Sequence, residues 1–318
     1  MAFLGEEWKP RTFNVKRKTL NVFSSLQEKM IHLSNAFLEI VVDPKGAELK
    51  HCRVKATGLD LMWSGDPAFW GKTSPVLFPI VGTLKNQSYL WNDKSYSLPR
   101  HGFARDKVFQ LEQQTEHQLV LKLSDDEETK QIYPFSFNLR LIYELRGNLL
   151  RLTYQVDNPS SEVLYFSLGA HPAFAVPLAP TLQFEDYELI FDENERLDRW
   201  PLTDAGLIQM QSIPFLNSGA PIQLNKSQFE QDAWVFKNLK THQITLQSSK
   251  DPRGWHFRWK DFPFFGIWSA KGADFVCLEP WCGIADHEMH EQDFTKKEGI
   301  QRLDAHQTWS RSWELEPF

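Results

Sequence analysis

The chain is predicted to be all-β, a large antiparallel sandwich with a few short helices. Three observations predict this: period-two alternation of apolar side chains over most of its length, few and short helical signals, and no internal repeat at a period of about 20 to 50 residues. Residues 1–29 carry six Lys or Arg (Lys9, Arg11, Lys16, Arg17, Lys18, Lys29) without alternation or a helical stripe and read as an N-terminal extension whose role the pattern leaves open. A single sandwich domain is expected over 30–318, opening with a strand from Ile31 to Val42. Leu119, Leu121 and Leu123 mark a further strand. Ser124 with Glu127 three residues on forms a capping-box pattern, with Asp125 and Asp126 near the positive helix end and Pro134 closing it. Phe137, Leu139, Leu141, Tyr143 and Leu145 are apolar at odd positions. After Arg146-Gly147-Asn148 the even positions Leu150, Leu152, Tyr154 and Val156 take over, which predicts a hairpin. Asn158-Pro159-Ser160-Ser161 is a turn, a second short helix is expected near Asn225, and Trp255, Phe257 and Trp259 alternate as a strand.

Composition narrows the function classes. Lys and Arg number 35 against 41 Asp and Glu, a net charge of −6, so no global positive field exists to hold nucleic acid or anionic lipid. No run approaches the roughly 20 apolar residues of a membrane-spanning helix, and the start shows no secretory signal pattern, so a cytoplasmic protein is expected. Cys52, Cys277 and Cys282 form neither a CxxC nor a Cys/His zinc spacing, which fits reduced thiols. There is no P-loop and no GxGxxG between strand and helix; no metal and no cofactor are expected. Asp286-His287-Glu288-Met289-His290 has HxxH rather than the zinc-helix HExxH and reads as a solvated loop. Oligomeric state is not legible. The 12 Trp, 24 Phe and 7 Tyr serve a core first, and secondarily offer flat faces on which sugar C–H groups stack.

Three stretches combine ionisable groups with tight turns in apolar surroundings: Pro99-Arg100-His101-Gly102-Phe103-Ala104-Arg105, Gly169-Ala170-His171-Pro172-Ala173-Phe174 and Cys277-Leu278-Glu279-Pro280-Trp281. A carboxylate following Phe275-Val276-Cys277-Leu278 needs a partner or a task, because charges are rarely buried alone. Strand parity puts Phe275, Cys277 and Glu279 on one face, Val276 and Leu278 on the other. In the strand ending at His171 the shared parity is Tyr165, Ser167, Gly169 and His171, a small and polar face of the kind that lines a cleft. From the residues alone, Glu279 is equally a salt-bridged carboxylate, and His171 is better read as a hydrogen-bonded structural histidine.

At these stretches the chain resembles the aldose 1-epimerase superfamily, and more closely its LacX-like and hexose-6-phosphate epimerase-like branch. The resemblance rests on Leu77-Phe78-Pro79-Ile80-Val81-Gly82, on His101-Gly102-Phe103-Ala104-Arg105, on Gly169 to Phe174 and on Glu279-Pro280-Trp281-Cys282-Gly283-Ile284-Ala285-Asp286, in the family's order, from about residue 30 to near the C-terminus. It implies a β-supersandwich with a concave sugar cleft, a catalytic histidine at His171 and a catalytic glutamate at Glu279, with His101, Arg105 and Asp232 as substrate contacts. One departure is Gly82-Thr83, where many relatives carry Gly-Arg; threonine cannot replace a guanidinium fork, though Arg100, Arg105 or Lys85 are at hand. The implied reaction is exchange of α and β anomers of a hexose or hexose phosphate without metal or cofactor. Glu279 as carboxylate takes the C1 hydroxyl proton, His171 as imidazolium gives one to the ring oxygen, and the neighbouring carboxylate keeps the imidazole charged. Two rivals stay open: a glycoside-processing enzyme on the same fold, and a non-catalytic sugar-binding or sensing protein that keeps the cleft alone.

Overall fold

The alternating segments form sheets in a computed structural model that describes residues 29–216, 219–230 and 232–318; residues 1–28 of the N-terminal extension lie outside them. A nine-stranded antiparallel sheet makes one layer. Its spatial order is Ile222–Gln223, Glu188–Phe191, Gln243–Ser248, Asp251–Trp259, Thr308–Pro317, Leu149–Asp157, Asn138–Arg146, Gln118–Ser124 and Gln110–Gln114. The predicted hairpin forms its sixth and seventh strands, with Arg146 paired to Leu149 across Gly147-Asn148. Leu139, Leu141, Tyr143 and Leu145 on one strand and Leu150, Leu152, Tyr154 and Val156 on the other enter the core. A one-residue slip of either strand would send four of these side chains to solvent, at about 1.5–3 kcal/mol each, so the register is strongly specified. The outer face carries cross-strand ion pairs instead, such as Arg140 with Glu112 and Asp157 and Arg258 with Glu316.

The opposing layer contains a five-stranded sheet of Leu168–Gly169, Phe275–Cys282, Phe264–Trp268 and Trp234–Lys237, with Ala173–Ala175 also paired to Phe275–Cys282. Its inner face meets the large sheet through aromatic contacts: Phe174 with Trp255 at 4.6 Å and Phe265 with Trp259 at 4.1 Å between ring centroids. A four-stranded sheet, Ile31–Ser34 to Leu59–Asp60, completes the core, and the Tyr143 hydroxyl ties the two by donating to the Ala47 carbonyl at 2.7 Å. The expected all-β supersandwich is thus the observed architecture.

Local differences have local causes. The expected strand Ile31 to Val42 is two strands, Ile31–Ser34 and Leu38–Asp43, because Asn35 folds the chain back by accepting the amides of Phe37 and Leu38 at 2.8 Å each. The helix expected from Ser124 is Glu127–Ile132, capped by Asp126 with Thr129 as reciprocal partner, while Ser124 ends a strand. The element at Asn225 is a single 3₁₀ turn, Lys226–Phe229, capped by the Asn225 side chain.

Candidate active site

The site is built on the outer face of the five-stranded sheet. All eight residues of Phe275–Cys282 are buried, and parity sorts them as expected: Val276 and Leu278 join the main core, whereas Phe275 and Cys277 pack with Trp63 and Ala173 on the other side. Glu279 shares that outer face. The neighbouring strand pairs Gly169 with Trp281 and Ala173 with Cys277, so His171 falls opposite Glu279. The Ala170 amide donates to Pro280 O at 3.1 Å and the Leu278 amide to Pro172 O at 3.3 Å, holding the two segments on either side of the pair. His171 Nε2 consequently lies 3.4 Å from Glu279 Oε2, with Glu279 2% and His171 8% exposed. On its other flank Glu279 pairs with Gly266, where a side chain would strike the Trp281 indole at 2.5 Å.

Glu279 and His171 open into a cavity of about 310 Å³, within the size range of small-ligand pockets. Trp70 stacks on the His171 imidazole at 4.9 Å and Trp268 meets it edge-on at 5.6 Å. Trp281, Val81 and Ile284 add apolar wall, and Leu202, Gly206 and Ile208 reach in from the segment following Trp200. Polar groups gather on the remaining side: His101, Arg100, Arg105 and Asp232. The turn that carries His101 depends on Gly102, whose φ is +71° and whose Cβ position would lie 2.2 Å from Phe78 O, so only glycine fits. Asp232 Oδ1 caps the Ala233 amide at 2.7 Å and stands 3.9 Å from Arg100 Nη2; Arg105 Nη2 donates to Arg100 O at 2.9 Å.

All five residues singled out in the sequence, His171, Glu279, His101, Arg105 and Asp232, therefore line one cavity. Trp70, Trp268, Leu202 and Ile208 were not singled out, since they sit in segments without a distinctive local pattern and reach the site only through tertiary packing. Neither Thr83 nor Lys85 lines the cavity; Thr83 packs beneath Gly206, whose Cβ position is 3.0 Å from Thr83 Oγ1. Of the candidate substitutes for a guanidinium at that place, Arg100 and Arg105 are the ones in reach.

Burial sets the charge state of the pair. It pushes Glu279 well above the ordinary carboxylate range, with Arg100 opposing, and it pulls His171 down to about 3. Burial thus disfavours the charged form of both groups, in opposition to the imidazolium and carboxylate that the resemblance implies. At 3.4 Å the two groups titrate as one coupled unit.

A second polar cluster braces the cavity wall and corrects the reading of 286–290 as solvated. His287 to Met289 are at least partly accessible, but Asp286 and His290 are buried. Lys297 Nζ, fully enclosed, donates to Asp286 Oδ1 at 2.8 Å and to Ile284 O at 2.5 Å. Asp286 Oδ2 accepts the Lys85 amide at 2.8 Å, while its main chain bonds Thr83 O and the Ile208 amide. Side chain and main chain of Asp286 together thus tie the 83–85 and 208 segments to its own.

With fold and site in view, comparison with known proteins is specific. The family model for aldose 1-epimerase matches residues 29–310. The chromosomal protein LacX of Lactococcus lactis subsp. lactis is 33% identical over 264 residues, 80% of this chain and 88% of that protein, and its plasmid form matches equally. Among solved structures, a galactose mutarotase related enzyme from Lactobacillus acidophilus superposes with a TM-score of 0.87 at 32% identity, covering 91% of this chain and 97% of that one. A galactose mutarotase-like protein from Lactobacillus casei ATCC 334 gives 0.85 at 27% identity over 91% of this chain and all of that one. The chain belongs to the aldose 1-epimerase family, in its LacX-like branch.

Proposed function

We propose that the protein exchanges the α and β anomers of an aldose, a hexose or hexose phosphate, by acid and base catalysis at His171 and Glu279. The observation that carries this is the opposition of the two side chains at 3.4 Å across paired segments, inside a cavity walled by indoles. Ring opening needs a base at the C1 hydroxyl and an acid at the ring oxygen, and a pair with one mobile proton supplies both. A sugar filling the pocket brings hydroxyl dipoles, and with Arg100 these favour the ionised arrangement, Glu279 as carboxylate and His171 as imidazolium. Glu279 then takes the C1 proton while His171 protonates the ring oxygen. After rotation about C1–C2 the two transfers reverse and the ring closes on the other face. Positioned groups of this kind contribute about 10² to 10⁴ each in rate.

His101, Arg105 and Asp232 act as substrate contacts in this reading, together with Arg100. Two guanidinium groups against one carboxylate leave this side of the cavity net positive, which favours an aldose bearing a phosphate. The three cysteines are buried and unpaired, in keeping with a reducing cytoplasmic setting. Exchange NMR on glucose, galactose and glucose 6-phosphate tests substrate class. Faster exchange of the phosphate ester than of free hexoses is expected, and equal rates would remove the role given to the rim. Saturable sugar binding without exchange would instead support a binding protein, and release of reducing sugar from an oligosaccharide would support a glycoside-processing enzyme.

A further inference from the structure

His171, Cys277 and Glu279 each place one donor atom, a ring nitrogen, a thiol sulfur and a carboxylate oxygen, within 4.8 Å of the other two, and all three residues are buried. No linear spacing announces this set; it arises because Cys277 and Glu279 share a strand face and His171 crosses opposite them. Nitrogen, sulfur and oxygen together are a donor set suited to a borderline-soft divalent ion. At metal–donor distances of about 2.0–2.3 Å, tetrahedral donors stand roughly 3.3–3.8 Å apart. The His171 Nε2 to Glu279 Oε2 spacing of 3.4 Å already meets this. Among the described residues, no side chain or neighbouring main chain bonds His171 Nδ1, which leaves this buried nitrogen available as a donor atom. His171 and Glu279 line the cavity, and Cys277 lies behind them, packed with Phe275 and Ala173.

We propose that this cleft takes one divalent ion of the Zn²⁺ type on His171, Cys277 and Glu279, and that the ion and the sugar exclude each other. The ion replaces the thiol proton and the proton shared by the pair, which leave to solvent. It thereby occupies both groups that ring opening needs, and exchange stops. Binding of the ion stands without the catalytic reading; the inhibition rests on it.

The test uses the full chain, stripped with a chelator, and measures Zn²⁺ uptake by equilibrium dialysis, thiolate ligation by the electronic absorption of bound Co²⁺, and anomer exchange by NMR. Wild type is expected to take up one Zn²⁺ per chain and to lose exchange in proportion. Cys277→Ala, with Cys277→Ser as the alternative should the first fail to fold, is expected to bind at least tenfold more weakly and to keep exchanging anomers at Zn²⁺ concentrations that silence wild type. No stoichiometric uptake at micromolar Zn²⁺, uptake undiminished in the cysteine variants, or Co²⁺ spectra without a thiolate band would each overturn the site. Cysteine-dependent uptake by a protein that exchanges no sugar would uphold the metal site and reject the catalytic reading.

Discussion

Gly82 and His101 hold each other by two hydrogen bonds: the His101 amide donates to Gly82 O at 2.9 Å, and the Gly82 amide donates to His101 Nδ1 at 3.2 Å. The other ring nitrogen, Nε2, also faces a donor, Arg100 Nε at 3.2 Å. A neutral imidazole can accept at only one nitrogen and a cationic one at neither, so the ring stays uncharged. Burial, then His171 and Arg100, pulls its pKa well down for the same reason.

His101→Ala would leave the buried Gly82 amide without its acceptor, a loss of about 1–3 kcal/mol. The expected result is a KM for anomer exchange raised about tenfold or more, with a smaller change in kcat and a lowered melting temperature. Steady-state exchange kinetics on the variant check this.

Glu279 is expected to cost stability at neutral pH. Its carboxyl ionises near the ordinary 4.5 in the unfolded chain but holds its proton to higher pH in the fold. The folded state therefore binds more protons, and stability falls as pH rises from the unfolded value upward. Glu279→Gln removes that loss. A gain on the order of 1 kcal/mol, about 2–4 °C in Tm, is expected at pH 7, shrinking towards pH 4 where both states are protonated. Thermal melts across pH settle the sign.

The pH dependence of exchange follows from the opposite shifts of the two groups. A second proton goes onto the pair only near about 3, and the last one leaves above the ordinary carboxylate range. Arg100, Arg105, His101, Asp232 and Cys277 surround the pair and shift both limits. Exchange measured with chelator present should be flat on the acid side through pH 5 and decline only on the alkaline side. Loss of rate on acidification through pH 6.5 would mean that the imidazole titrates independently.

Lys297→Met would strand the Asp286 carboxylate in the wall without its cation. Breaking a buried pair from one side costs about 3–5 kcal/mol. Urea unfolding should show that loss, and adding Asp286→Asn should recover part of it, since the neutral amide needs no counter-charge.

What the sequence made legible was whatever repeats locally. Parity along Phe275, Cys277 and Glu279 placed the carboxylate on the outer face, and the same alternation at 137–145 and 150–156 marked the hairpin. The two-strand form of 31–43 was hidden because Asn35 makes its turn with a side chain inside an otherwise strand-like run. Trp70, Trp268, Leu202 and Ile208 reach the cavity by long-range packing, which leaves no mark on neighbouring residues. Asp286 is buried against Lys297, eleven positions beyond it, so the charged 286–290 segment looked like a surface loop. The shift of His171 and Glu279 towards their neutral forms follows from how completely the fold excludes water, and residue identity alone does not convey that.

The central claim is tested most directly by polarimetry of freshly dissolved α-D-glucose and by NMR exchange of glucose 6-phosphate, with wild type, Glu279→Gln and His171→Asn in parallel. The expected result is acceleration by wild type on at least one of the two, reduced about 10² to 10⁴-fold in each variant while the melting transition stays cooperative. An undiminished rate in Glu279→Gln, or no acceleration of any anomer pair by wild type, would contradict it.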